Sequence, residues 1–187
     1  VTLELPSTAT YVYNYNSDWG GDVDFKAPRI YTRGTIFSGT SSLTKIGTSA
    51  DDSYGGNTFN GAVTYNEEGS GRWRLGNSSA NDFNADVTYI KTGTGQLAPA
   101  YHTVSTYAGD ININSATELT FGNGNGTVEF DGVSSQSFND LGASVTPTFE
   151  RLTMNNVNDE LTLNMPIRLQ YTLNLTEGNI NTSTINI

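Results

Sequence analysis

Three similar eight-residue segments occur in this chain: TFNGAVTY at residues 58–65, DFNADVTY at 82–89 and TYAGDINI at 106–113. The interval between the copies is constant, and they align without a gap. A fixed period in this range is typical of a solenoid or a propeller, and a propeller blade needs about 40 residues or more. The repeat therefore predicts an all-β fold, a parallel β-helix or β-solenoid with coils of about 21–24 residues.

Stacked coils place equivalent residues about 4.8 Å apart, so each repeated apolar position predicts a column of buried side chains. The three predicted columns are Val63, Val87 and Ile111; Tyr65, Tyr89 and Ile113; and Trp73, Leu97 and Phe121. The alternating residues Thr64, Thr88 and Asn112 are expected outside. The stretches Gly69-Ser70-Gly71 and Gly93-Thr94-Gly95 are predicted corners, because glycine accepts the positive φ of a sharp turn.

The C-terminal region repeats with a slightly shorter period. Leu152-Thr153-Met154 returns as Leu173-Asn174-Leu175, and similar tripeptides lie between them at 161–163 and 167–169. These segments predict three short strands per coil. Ile185-Asn186-Ile187 would start another copy, so the array is expected to continue beyond residue 187.

The chain is predicted to have two parts. Residues 1–34 depart from the period and are interpreted as an irregular N-terminal β segment that could contact another subunit. Residues 35–187 are interpreted as the β-solenoid repeats.

The composition supports strands and turns. Asn, Thr, Ser and Gly supply 84 of the 187 residues, and the apolar residues are largely β-branched or aromatic at alternate positions. An antiparallel β-sandwich is the alternative, although its strands need not resemble one another. With nine basic and 19 acidic residues the formal charge is −10, so no nucleic-acid surface of clustered Lys and Arg is expected. No apolar run is long enough to span a membrane.

Two aspartates are the candidate metal ligands. The repeat places Asp86 and Asp110 in register on adjacent coils, about 5 Å apart. Their oxygens could bind calcium or act as an acid–base pair, and a solvated acidic surface is the alternative. No catalytic residue is assigned, because the one histidine, His102, lies in a loop-like stretch with no orienting partner that the sequence can identify.

Three alternating tyrosines near the N-terminus are the candidate interface. Tyr11, Tyr13 and Tyr15 could form a contact between subunits, the buried face of a strand, or a strip that stacks on sugar rings. The subunit contact or the buried face is favoured over the sugar-binding strip.

Several segments resemble the repeats of very large surface adhesins of Bacteroidota-type bacteria. The segments are residues 35–39, 56–65, 82–87, 128–138 and 149–156, so the resemblance covers roughly residues 35–180. Such proteins are typically exported by the type IX secretion system and displayed as fibres, gliding adhesins or other appendages. The resemblance implies an extracellular, cell-surface, non-enzymatic protein, and it transfers no catalytic residue to this chain.

The predicted function is a structural and adhesive repeat module of a large secreted surface fibre or appendage. It would act through homo-oligomeric assembly and through contact with surface glycans or other cells. The alternative is a carbohydrate-active or carbohydrate-binding β-helix, and a groove that gathers carboxylates with an Arg or Lys would favour it. Ice binding would need flat Thr-x-Thr ladders, whereas the predicted outward columns mix Thr with Asn and Asp. Apart from calcium, no cofactor is expected.

Overall fold

The computed structural model describes residues 1–6 and 10–182, and in these residues it contains 21 β-strands and no helix. The paired strands run parallel, and they stack in about eight coils. The prediction of a β-solenoid is confirmed. The β-sandwich alternative is wrong, because the described strands pair in parallel and not as antiparallel hairpins. Ile185-Asn186-Ile187, the predicted start of another copy, lies outside the described residues.

Each coil contributes one strand to each of three sides. Side A contains β1 (Thr2–Glu4), β4 (Val23–Ala27), β7 (Ser41–Lys45), β10 (Val63–Glu67), β13 (Val87–Lys91), β16 (Ile111–Ser115) and β19 (Gln136–Asp140). Side B contains β2 (Val12–Tyr15), β5 (Ile30–Arg33), β8 (Asp51–Asp52), β11 (Trp73–Arg74), β14 (Leu97–Ala98) and β17 (Thr120–Phe121). Side C contains β3 (Asp18–Trp19), β6 (Ile36–Phe37), β9 (Thr58–Phe59), β12 (Asp82–Phe83), β15 (Val104–Tyr107) and β18 (Thr127–Phe130).

The interior is built from columns of identical or similar side chains. On side A, Val63 pairs with Val87 and Val87 with Ile111, and the Tyr65, Tyr89 and Ile113 positions stack in the same register. On side B, Trp73 pairs with Leu97, and Phe121 occupies the inward position of the next strand. All nine of these side chains are at most 2% exposed. Thr64, Thr88 and Asn112 alternate with them and are half-buried on the outside.

Side C carries a ladder of stacked aromatic rings. Phe37, Phe59, Phe83 and Tyr107 are fully buried, and their ring centroids are separated by 4.7, 5.1 and 4.8 Å in turn. The rings stack because the parallel register brings the same position of each coil to the same depth. Burial of such large side chains is the main source of stability in a fold of this kind.

The corner glycines are required for a different reason from the predicted one. Gly69 and Gly93 do not have positive φ. A Cβ atom at Gly93 would instead lie 2.0 Å from the carbonyl oxygen of Gly69, and one at Gly69 would lie 2.1 Å from that of Gly47. The corners of successive coils therefore approach too closely for any side chain.

The N-terminal residues belong to the same sheet as the rest of the chain. Leu3 pairs with Phe25 and Phe25 with Leu43, so side A runs across the predicted boundary at residues 34 and 35. The coil between β4 and β7 is shorter than the later coils, since Val23 pairs with Ser41 whereas Val63 pairs with Val87. This short coil is what broke the sequence period.

The C-terminal coils contain long strands in place of the short ones predicted. β20 (Thr148–Leu163) and β21 (Arg168–Asn181) are continuous, and irregularities in their register let them bend from one side to the next. Leu152 pairs with Leu173 and Met154 with Leu175, in agreement with the shorter period of this region.

Candidate functional site: a tyrosine–arginine face

The three alternating tyrosines lie on the outer surface of side B. Tyr11, Tyr13 and Tyr15 are 50%, 53% and 45% exposed, whereas Val12 and Asn14 between them are buried. The alternation is that of a strand with one face in the core. The tyrosines are therefore a surface strip and not the buried face of the strand, which was one of the alternatives.

The second coil places a matching row directly beside the tyrosines. The rings of Tyr13 and Tyr31 are parallel, with centroids 4.8 Å apart. The Arg33 guanidinium lies 4.8 Å from the centroid of the Tyr15 ring, and Arg29 lies 5.8 Å from that of Tyr11. Guanidinium groups at these distances are held by cation–π attraction.

The following coils extend this surface. The Arg33 guanidinium lies 3.9 Å from the Tyr54 ring centroid, and Arg74 lies 3.8 Å from that of Tyr101. We define the Tyr–Arg face by its outward side chains on side B: Tyr11, Tyr13, Tyr15, Arg29, Tyr31, Arg33, Tyr54, Arg72 and Arg74. Sequence reasoning assigned only the three N-terminal tyrosines to an interface, although the alternation of Arg29, Tyr31 and Arg33 repeats their spacing.

The Tyr–Arg face is locally cationic on an acidic protein. It holds four of the six arginines of the chain. Arg29 donates to the buried Asp51 at 2.6 Å, and Arg72 donates to both oxygens of Asp52, at 2.9 and 2.6 Å. Among the described residues, no carboxylate oxygen lies within 4.0 Å of the Arg33 guanidinium. Arginine thus outnumbers aspartate here, while the whole chain carries a charge of −10.

The structure brings Asp86 and Asp110 together and gives each a hydrogen bond. The Asp110 backbone N–H donates to Asp86 Oδ1 at 2.9 Å, and the Ser137 backbone N–H donates to Asp110 Oδ1 at 2.7 Å. Each carboxylate thereby ties its corner to the next coil. In residues 1–6 and 10–182, no group of three or more His, Asp or Glu side chains is arranged to hold a metal ion.

An internal column of charged residues was not foreseen. Lys45, Glu67 and Lys91 are the last residues of three neighbouring strands on side A. Their side chains point inward, and each residue is at most 2% exposed. The Lys45 ammonium donates to the carbonyls of Gly47 and Gly71, at 3.1 and 3.0 Å. Neither carboxylate oxygen of Glu67 has a hydrogen-bond partner in the described part of the chain. Burial raises the pKa of Glu67 to about 7, and burial lowers the pKa of both lysines.

Two adjoining clefts lie towards the C-terminal end. One has a volume of about 460 Å³ and includes Lys91, and the other has about 490 Å³ and includes Glu150 and Arg168. Both are lined by Glu118, Thr120 and Asn123. One Glu150 oxygen accepts hydrogen bonds from two backbone N–H groups, those of Gly124 and Asn125, at 2.9 and 2.6 Å. His102 is exposed, and its ring stacks on that of Tyr101, with centroids 4.0 Å apart.

Comparison with protein-family models, curated proteins and solved structures finds no match to this chain. Within the described residues, the structure has no helix of the length and hydrophobicity that crossing a membrane would require.

Proposed function

We propose that this chain is a structural and adhesive module of a large secreted surface protein, exported by the type IX route and displayed as a fibre or appendage. The observation that carries the proposal is the Tyr–Arg face: the solenoid presents a row of exposed rings and guanidiniums on a rigid sheet. Tyrosine and arginine are enriched at protein contact surfaces because they combine apolar area with hydrogen-bond donors.

The solenoid supports the mechanical part of this role. Each coil bonds through its backbone to the coil before and after it, so the array can be lengthened without a new core. A rod of this kind holds its outward side chains at fixed spacing and resists collapse. Both properties suit a protein that must project a contact surface away from a cell.

The test is the location and form of the parent protein. An antibody against residues 35–182 should label intact cells of the source organism, and electron microscopy should show the label along fibres. Purified protein should associate into elongated particles by light scattering. Label that appears only after lysis, together with a compact monomer at high concentration, would contradict the proposal.

A lyase-like carbohydrate-active β-helix is the second candidate, and one cleft favours it. Glu118, Glu150 and Arg168 line the same cleft, which is the combination of carboxylates and a cation expected for such an enzyme. A lyase needs one base to remove the proton beside the uronate carboxyl group and a nearby cation, whereas hydrolysis needs two carboxyl groups on either side of the reacting bond.

This candidate is tested by turnover. Incubation with a uronic-acid polysaccharide should release new chain ends if the cleft is catalytic, and Glu118→Gln should abolish their release. Absence of any new ends with acidic and neutral polysaccharides would leave the structural role as the better account.

A further inference from the structure

We propose that the Tyr–Arg face binds an acidic polysaccharide, with uronate carboxylates on the arginines and sugar rings against the tyrosines. This inference rests on the proposed adhesive function and names the partner of that surface.

The charges of the face select an anionic partner. Arg33 has aromatic neighbours on both sides, Tyr15 and Tyr54, and no carboxylate within ion-pair distance in the described residues. The ring contacts hold its planar guanidinium in place, and a guanidinium held in this way can offer paired N–H donors to a carboxylate. Arg74 also stacks on a ring, that of Tyr101, but its Nε lies 3.8 Å from Asp52 Oδ1, within ion-pair distance. Arg72 binds both oxygens of Asp52 more closely, so Asp52 is shared between two arginines.

The aromatic rings select a partner with apolar faces as well as charge. Tyr11, Tyr13 and Tyr15 are each about half exposed, so their rings and hydroxyls are available together. A pyranose ring offers C–H groups on its faces and hydroxyls at its rim, which matches a tyrosine ring surrounded by hydrogen-bonding groups. A small inorganic anion would use the arginines and leave the rings unused.

The layout of the face selects a chain over a single sugar. Its outward residues come from four successive coils, so the face extends about 15 Å along the axis. The sheet fixes the spacing of these side chains, so an extended polymer can contact several of them at little cost in protein ordering.

Two other partners, nucleic acid and a second copy of the chain, fit the Tyr–Arg face less well. Nucleic acid carries about one charge per 1.7 Å of duplex, and its phosphates would meet a chain of net charge −10 around a small cationic patch. A symmetric contact between two copies would set this face against itself and bring arginines together. A polyuronate has only one charge per sugar, so its repulsion by the acidic chain is weaker, and it brings no second set of arginines to the face.

The experiment compares two charge-matched variants by calorimetry with polygalacturonate, and with neutral dextran as the reference polymer. The face variant is Arg33→Gln with Arg74→Gln, which keeps the ion pairs of Arg29 and Arg72 and removes the longer one between Arg74 and Asp52. The control variant is Lys26→Gln with Arg151→Gln, two side chains outside side B. Circular dichroism and melting temperature establish that both variants are folded.

We expect the wild type to bind polygalacturonate and not dextran, with binding weakened in about 1 M sodium chloride because the charges are screened. The face variant should bind at least about tenfold more weakly, and the control should match the wild type. A triple variant with Tyr11, Tyr13 and Tyr15 changed to Ser should also bind more weakly, although its charge is unchanged.

Three results would overturn the inference. The first is no binding by the wild type, and the second is an equal loss in the face and control variants, which would indicate non-specific charge. The third is concentration-dependent association that the face variant abolishes, which would make the face a contact between copies. None of these results depends on whether the parent protein forms surface fibres, so the two proposals fail separately.

Discussion

The backbone N–H of Asp110 donates a hydrogen bond to the side chain of Asp86 on the preceding coil, with 2.9 Å between the nitrogen and Oδ1. The carboxylate that the repeat suggested for calcium is therefore already used to hold one corner to the next. We expect chelation to leave the melting temperature of the wild type unchanged. Asp86→Ala should lower the free energy of unfolding by about 1 kcal/mol, since the bond is solvent-exposed. Asp86→Asn keeps an acceptor and should cost less. A melting temperature that falls on chelation in the wild type, but not in Asp86→Ala, would instead demonstrate a metal at this site.

The side A column gives a sharp contrast between adjacent residues. Val87 is fully buried between Val63 and Ile111, and Thr88 is half-buried on the outer surface. Val87→Asp should cost at least about 4 kcal/mol, because it buries a charge with no partner. Thr88→Asp should change stability by less than about 1 kcal/mol, as is usual for a surface substitution. Urea unfolding measures both, and similar midpoints for the two variants would contradict the register.

The pKa of Glu67 predicts a pH-dependent stability. Its pKa is raised from 4.5 to about 7, so the folded state favours the protonated acid. The resulting stability is present below about pH 4.5 and is lost as the pH rises to about 7. The loss should be on the order of 3 kcal/mol, given about 1.4 kcal/mol per pKa unit.

Glu67→Gln isolates this effect. The difference in unfolding free energy between Glu67→Gln and the wild type should be larger at pH 8 than at pH 5, in favour of the variant. Glu68→Gln is the control, because Glu68 is exposed and its ion pair with Lys26, at 3.3 Å, is on the surface. A difference that is the same at both pH values would show that Glu67 does not titrate in this range.

The close approach of successive corners predicts that the free energy of unfolding depends strongly on glycine at these positions. Gly93→Ala places a methyl group 2.0 Å from the Gly69 carbonyl oxygen and 2.7 Å from Glu67 Oε2, so the two coils must separate. We expect a loss of about 2–3 kcal/mol in thermal or urea unfolding. Gly21→Ala is the matched control, since nothing lies within 4 Å of the added methyl group, and it should be close to neutral. An equal effect at both positions would mean that backbone entropy dominates.

The interior of the middle coils was predictable because the same residue types recur at one interval. Val63, Val87 and Ile111 are evenly spaced along the chain, and equal spacing in a parallel stack means equal depth in the core. In contrast, the coils that carry the Tyr–Arg face depart from this interval: Val23 pairs with Ser41, 18 residues later, and Ser41 pairs with Val63, 22 residues later. Val23 pairs with Ser41 across a shorter coil, so a hydrophobic residue faces a small polar one and the sequence shows no repeat there.

The buried charges were missed for another physical reason. Lys45, Glu67 and Lys91 each end an alternating strand at an inward position, but a charged residue is normally assigned to the surface because burial is costly. The lysines are accommodated by oxygen acceptors in the polypeptide, the carbonyls of Gly47 and Gly71 for Lys45 and the hydroxyl of Thr117 for Lys91. Corner carbonyls of this kind cannot be located without the fold.

The uneven coil lengths should have little influence on the order of folding. The loop closed by pairing Val23 with Ser41 is much shorter than the loop closed by pairing Thr120 with Thr148. Closing either loop costs nearly the same entropy, since that cost grows only with the logarithm of length. Once two coils have stacked, the end of the stack presents unpaired backbone N–H and C=O groups and an uncovered aromatic ring, on which the next coil can form. Folding should therefore begin in the middle coils, which contain the stacked aromatic side chains, and propagate one coil at a time towards both ends.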